Sequence, residues 1–305
     1  MTNAAALTSN SPALTYPRGV MLVILAGVCW STMGLGIRFM EVANVWQILF
    51  FRSCALVPFL FLVISFRSRG KPFAMIRKSG AAGVVGGLGL IFAFSGGIYA
   101  IQATSVANAM FLFAAAPFFA AILGRLILNE GVRRATWIAT IVALIGIAMM
   151  VGEGISLGHM GGNISALVSA LGFAVFTIAL RWGKLEEMMP TVFLGGVFAL
   201  VISGIVCFSA GYTFDIPAND IWIALALGVF QVGLGLTIYT IGSKTVPAAE
   251  LALLSMTEVV LGPFWVWLVL GETAGMYTLL GGVVLLAAII GNALSGLRRN
   301  PTPIL

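Results

Sequence analysis

Lysine and arginine side chains gather in every second connection between apolar runs of roughly 20 residues, and that alternation restricts the chain to one class of fold. Arg67, Arg69, Lys71, Arg77 and Lys78 crowd one connection, and Arg125, Arg133 and Arg134 crowd the second one after it. The connections between them are nearly free of positive charge. Runs of this length cross a hydrocarbon core about 30 Å thick, and cationic loops are retained in the cytoplasm. With 60% hydrophobic and 9% charged residues, the chain has too few polar groups to clothe a water-soluble globule. The expected fold is an all-α polytopic membrane protein. Ten spans are predicted at 18–37, 46–66, 79–99, 105–124, 134–151, 161–180, 190–210, 219–241, 248–270 and 275–296. A membrane β-barrel would require alternating apolar and polar residues, and these runs lack that pattern.

Placing the N-terminus inside puts fourteen of the sixteen Lys and Arg residues in the cytoplasm, among them Arg18, Arg181, Lys184, Lys244, Arg298 and Arg299. Arg38 falls in an outer connection, Arg52 falls inside the second span, and Glu41, Glu153, Asp215, Asp220 and Glu272 occupy outer loops. Both termini are therefore expected in the cytoplasm, in a bacterial inner membrane. The isoelectric point near 9.6 needs no nucleic-acid partner, because the cations lie where membrane topology places them. The first apolar run has no small-residue cleavage site, so no signal peptide is expected to be removed. Cys29, Cys54 and Cys207 lie inside predicted helices without metal or redox spacing, so no disulfide, metal or cofactor is expected.

The chain also repeats itself. Leu126-Ile127-Leu128-Asn129-Glu130 recurs as Leu268-Val269-Leu270-Gly271-Glu272, a spacing of 142; Ile37-Arg38 recurs as Leu180-Arg181, a spacing of 143; and Tyr99-Ala100-Ile101 recurs as Tyr239-Thr240-Ile241, a spacing of 140. Two units follow, 1–151 and 152–305, each of five helices. Five is odd, so the second unit enters the membrane from the opposite side, giving the inverted-topology repeat of secondary transporters. A purely structural duplication is the alternative.

The ten spans, the five-plus-five repeat, the first helix with its Trp30, and the Glu130 and Gly271-Glu272 ends of helices four and nine resemble the drug/metabolite transporter superfamily, specifically its EamA-type exporters. The similarity is greatest to the bacterial branch that exports aromatic amino acids and related metabolites. It implies helices one, three, four, six, eight and nine around a shared centre, with five and ten as peripheral scaffolds. One departure is Glu258-Val259 where helix nine of the family often reads Glu-Pro; here the proline is displaced to Pro263.

Candidate substrate residues follow from helical spacing. Helix nine aligns Leu251, Leu254, Ser255, Glu258, Gly262 and Trp265, and Glu258 is the one acid near the middle of any span. An acid there faces a partner or a cavity: it contacts a substrate amine, carries a proton, or is a hydrogen-bonded packing group. Helix eight offers Gln231 and Tyr239, helix three ends near Tyr99, helix one presents Trp30 and helix six Phe173. Their polar tips and rings are expected to converge near the midplane. Asn108, early in helix four, hydrogen-bonds a substrate carboxylate or joins helices. Arg52 is expected to snorkel, to pair with an acid, or to gate access. Pro117 and Pro263 are hinge candidates, since each removes an intrahelical donor. Glu130 and Glu272 read as turn carboxylates.

The leading reading is an alternating-access carrier that exports small neutral or zwitterionic metabolites. Its partners would be a small-molecule substrate and membrane lipid. The scarcity of central cations argues against polyanionic cargo. No zinc-binding His pair, two-aspartate dyad or Ser/His pair appears in the spans, which argues against an intramembrane enzyme. A channel or a non-transporting receptor on the same scaffold is the other alternative. Nothing resembles a Walker loop, so this chain has no ATP-binding domain of its own.

Overall fold

A computed structural model describes residues 15–297, apart from the side chains of residues 154, 248, 249, 252 and 297; the predicted cytoplasmic positions Arg298 and Arg299 lie outside the described residues. Ten helical spans are present. They run over Tyr16–Arg38, Val45–Arg67, Gly80–Ala103, Val106–Ile127, Arg134–Ser156, Met160–Trp182, Met189–Ser209, Ala218–Gly242, Ala248–Leu270 and Met276–Leu297, and a short helix, Pro72–Lys78, precedes the third. They are numbered one to ten here. The face that carries Arg67, Lys78, Arg125, Arg134 and Arg181 is called the basic face, and the other the opposite face.

Local chemistry fixes several helix ends. Asn44 caps span two by accepting from the Trp46 and Gln47 amides, while the Gln47 side chain accepts from the Asn44 amide, a reciprocal capping box. Gly271, with φ of 68°, ends span nine in the left-handed conformation that a glycine adopts without strain. At the opposite face, the buried Asp220 carboxylate accepts from three successive backbone amides, Glu41, Val42 and Ala43, at 2.9 to 3.0 Å. The loop after span one is thereby tied to the start of span eight.

Packing follows the inverted repeat. Span three lies along span six and span eight along span one; span nine lies along span one and span four along span six. Spans five and ten pack chiefly on each other, as peripheral scaffolds would. Close approach depends on small residues, because lipid tails give no hydrophobic drive for helices to associate. A Cβ on Gly172 would stand 2.6 Å from the Gly89 carbonyl and 2.7 Å from the Ala93 amide, so spans three and six are in backbone contact there.

Two spans depart from the single regular helices expected of them. Span four breaks at Ala114–Ala115 into Val106–Phe113 and Ala116–Ile127. Pro117 has no N–H for the Phe113 carbonyl, and the chain crosses the gap with short-range bonds such as Ala115 N–H to Leu112 O. The half toward the opposite face packs on spans six, nine and ten, whereas the basic-face half packs chiefly on span six. Span four therefore leaves span nine below its break. Pro263, in contrast, sits inside a continuous helix. Span eight widens into a π-helix over Leu227–Leu234, a form often found at functional sites.

The Gly89–Gly172 contact yields a test of this packing. Gly172→Leu should lower the yield of monodisperse protein about tenfold or more, the consequence of forcing a side chain into backbone. Gly131→Leu, at a position where an added Cβ meets nothing within 4 Å, should leave it unchanged. Size-exclusion chromatography in detergent checks both.

Candidate functional site

Span one and span nine approach closely where Gly27 faces Thr257: a Cβ on Gly27 would lie 3.1 Å from the Thr257 Cβ and 3.6 Å from the Glu258 amide. Glu258 is thereby held deep in the protein, at the middle of its span. Its carboxylate has no cation within ion-pair distance and no hydrogen bond among the described residues, yet protein atoms do not seal its oxygens. A carboxylate both deep and open faces an internal space. Ser255, one turn toward the basic face, lies beside the Tyr239 hydroxyl. The Tyr239 ring stands 5.2 Å from Trp30, centroid to centroid. Trp30 in turn lies on Gly235, where a Cβ would come within 2.6 Å of the indole nitrogen. Spans one, eight and nine thus build one wall from two aromatic rings, a hydroxyl and a free carboxylate.

Among the described residues Arg52 is the other unpaired charge well inside a span. It neither snorkels nor pairs with an acid, contrary to two of the expectations above: it is 1% exposed, and its Nε and Nη2 are sealed without a hydrogen-bond partner. Its guanidinium lies 4.4 Å from the Phe94 ring centroid. On its other side the Arg52 backbone abuts the π-helical segment, where a Cβ on Gly228 would be 2.2 Å from the Arg52 carbonyl. Gln231, in the same segment, is 6% exposed and its Oε1 has no partner. Magnitudes decide what this means. A desolvated cation–π contact contributes about 2 kcal/mol, whereas each unmet charged donor costs at least about 1–3 kcal/mol, and an arginine at mid-membrane costs about 3 kcal/mol by insertion scales and more by simulation. Phe94 alone does not offset burial of this charge.

The remaining sequence candidates are placed elsewhere. Tyr99 is 45% exposed at the opposite-face end of span three, its hydroxyl near Gly161, and does not join Tyr239. Phe173 packs on Phe113 and Phe176 at 5.6 and 5.5 Å rather than on Trp30. Asn108 is buried and joins helices, donating to Asn163 of span six and to Thr104. The Trp265 indole donates to Ser31 at 3.0 Å, tying span nine to span one. Two clefts, of about 290 and 370 Å³, lie at the two faces. Pro263, Trp267 and Glu272 line the first and Lys78, Lys184 and Glu187 the second; Glu258 and Arg52 line neither.

Glu130 and Glu272 do more than end helices. At the opposite face Arg38 donates to Glu272 through Nε (2.7 Å) and Nη2 (3.2 Å) and to the Thr104 carbonyl (2.7 Å), while Glu272 also accepts from the Val106 amide (2.7 Å). At the basic face Arg181 pairs with Glu130. These pairs are related by the repeat, Arg38 to Arg181 and Glu130 to Glu272. The spacing that relates the two acids carries Thr104 and Val106 to Val246 and Ala248, yet among the described residues Arg181 makes no bond to Val246. Among the described residues the opposite face holds the fuller network. The repeat offsets carried the signal for both pairs, although no local motif announced that the arginines and acids meet.

The comparisons agree with this architecture. The EamA-like transporter family matches twice, over residues 17–152 and 160–294. The pseudopaline exporter CntI of Pseudomonas aeruginosa is 26% identical over 280 residues, covering 89% of this chain and 94% of the relative. An uncharacterized transporter of Helicobacter pylori is 26% identical over 274 residues, covering 84% of this chain and 87% of the relative. A crystal structure of a protein at 18% identity superposes with a TM-score of 0.64 over 94% of this chain and all of the other, a likeness of fold. The two matched stretches cover most of the chain, which belongs to the EamA-like transporter family and is a multi-pass membrane transporter built from two inverted five-helix repeats.

Proposed function

We propose that the protein exports small zwitterionic metabolites across a bacterial inner membrane by alternating access, with aromatic and other hydrophobic amino acids as the leading cargo. Glu258 carries this reading: a deep, open, unpaired carboxylate beside Trp30 and Tyr239 offers an ammonium a counter-charge and a ring two surfaces to pack on. A relative that is itself an exporter supports the outward direction. The basic face is cytoplasmic in this reading. The Arg38–Glu272 network closes the outer side, and the divergence of span four from span nine opens the cytoplasmic side. The Arg181–Glu130 pair is the part of the inner closure already in place, and the mirrored conformation would extend it to the start of span nine. Paired closures at opposite faces favour a carrier over a pore, because a pore has no need for a second, interchangeable gate.

Three outcomes test the reading. In a background where Cys29, Cys54 and Cys207 are serine, a cysteine in place of the exposed Lys71 should react with an impermeant maleimide only in opened cells, whereas Asp215→Cys should react in intact ones. The reverse would invert the topology.

Glu258→Gln should lower both exchange and net efflux of labelled phenylalanine in proteoliposomes, by about tenfold, the loss expected when a charge-assisted contact becomes a neutral one. If exchange persisted while the pH dependence of net efflux vanished, Glu258 would be a proton carrier and not a substrate contact.

Glu272→Gln should weaken the outer closure. In the cysteine-free background, Ser31→Cys, at a position fully buried below that network, should then label from outside about fivefold faster, equivalent to ~1 kcal/mol for a partly exposed ion pair. Unchanged labelling would mean that this ion pair does not hold the gate.

A further inference from the structure

We infer that Arg52 is the anion-recognition element of the transport site and binds the carboxylate of the cargo. The inference deepens the exporter reading and rests on it for the cargo's ammonium end, while the anion site itself stands on Arg52 and its surroundings.

Elimination leaves Arg52 without a partner inside the protein. Glu272, Glu187 and Glu130 are paired with Arg38, Arg67 and Arg181. Asp220 and Glu153 are held by backbone amides, and Glu250 accepts from Tyr16. Glu41, Glu186 and Asp215 lie in the connections, and Glu258 is free. The guanidinium nevertheless lies inside the membrane span, with Nε and Nη2 pointing at nothing that accepts a hydrogen bond. Nη1 makes no bond either, but it is not sealed, so the fork meets accessible space along that edge. The terminal nitrogens Nη1 and Nη2 present two donors in the spacing that a carboxylate accepts side by side, and Nη1 is the one that accessible space reaches.

The surroundings suit such a ligand. Phe94 lies over the guanidinium and, having no acceptor, takes none of its in-plane donors. The abutting wall is the π-helical segment of span eight, which also carries Gln231 with its unpartnered amide oxygen. Among the described residues no second cation makes contact here, and one guanidinium matches a singly charged carboxylate rather than a phosphate. Among the described residues Arg52 and Glu258 are thus the two unpaired charges well inside the spans, and they have opposite signs. A zwitterion carries one partner for each.

The test uses purified full-length protein in detergent and measures binding of labelled phenylacetate, phenylalanine, phenethylamine and inorganic phosphate. The parent should bind the first three. Arg52→Gln should weaken phenylacetate and phenylalanine at least tenfold and leave phenethylamine unchanged, and Arg52→Lys, which keeps the charge but loses the planar fork, should fall between. Where Arg52→Gln fails to give a monodisperse peak, Arg52→Lys carries the comparison, with a several-fold loss confined to the carboxylates. Equal binding of carboxylates by parent and both variants would overturn the inference, as would equal losses for all probes, the mark of a structural arginine. A parent that binds no carboxylate, or binds phosphate more tightly than phenylacetate, would also overturn it. A parent that binds phenylacetate through Arg52 yet rejects phenylalanine would keep the anion site and sink the amino-acid reading.

Discussion

Hydrocarbon offers a polypeptide no hydrogen-bond partner, and this condition shapes the protein at every level. Backbone amides and carbonyls are satisfied within the helices, and where a helix must stop, the orphaned groups are collected by side chains such as the buried Asp220 and the partly exposed Glu153 and Glu272. Helices with little hydrophobic reason to associate are brought together by small residues, as at Gly89 and Gly172. Against that background an uncompensated charge stands out far more than it would in water. Glu258 and Arg52 are costly to keep, and binding a partner from outside the chain would compensate both.

The inverted repeat explains why the same chemistry appears twice with different completeness. Arg38 with Glu272, and Arg181 with Glu130, occupy related positions at opposite faces. The first pair also takes up the Thr104 carbonyl and the Val106 amide and so stitches together the ends of spans one, three, four and nine. The second pair links the end of span six to the turn after span four. Under the alternating-access proposal, turnover would exchange one local arrangement between two faces, and the break before Pro117 would let half of span four move with span six.

Much of this was legible in the sequence, because membrane spans obey composition. Apolar length and the distribution of Lys and Arg located all ten helices to within a few residues at most ends, and the repeat offsets located the related pairs. What the sequence withheld was direction around each helix axis. Tyr99 and Tyr239 are equivalent in the repeat, yet Tyr99 is 45% exposed near an outer turn while Tyr239 packs on Trp30, since an inverted pair is symmetric only when both faces are in the same state. The π-helix of span eight was invisible, and Pro117 marked a hinge candidate in span four without fixing where the helix breaks: neither Gly228 nor Pro117 dictates such a distortion without the neighbour it packs against. Phe94 escaped notice because a phenylalanine in an apolar run carries no signal until an arginine is found beneath it.

The unequal ion-pair networks have a consequence for how such a carrier rests. Two gates descended from one ancestral unit start with equal strength, and each later substitution loads one side of the balance. Among the described residues the heavier side is the far one, where a guanidinium is shared between a carboxylate and the carbonyl that ends a neighbouring helix. Under the alternating-access proposal, an empty protein so weighted waits with its mouth toward the compartment that holds the basic loops. The bias sets where time is spent between turnovers, and a single substitution at Glu272 or Glu130 would alter the duty cycle without touching the cargo.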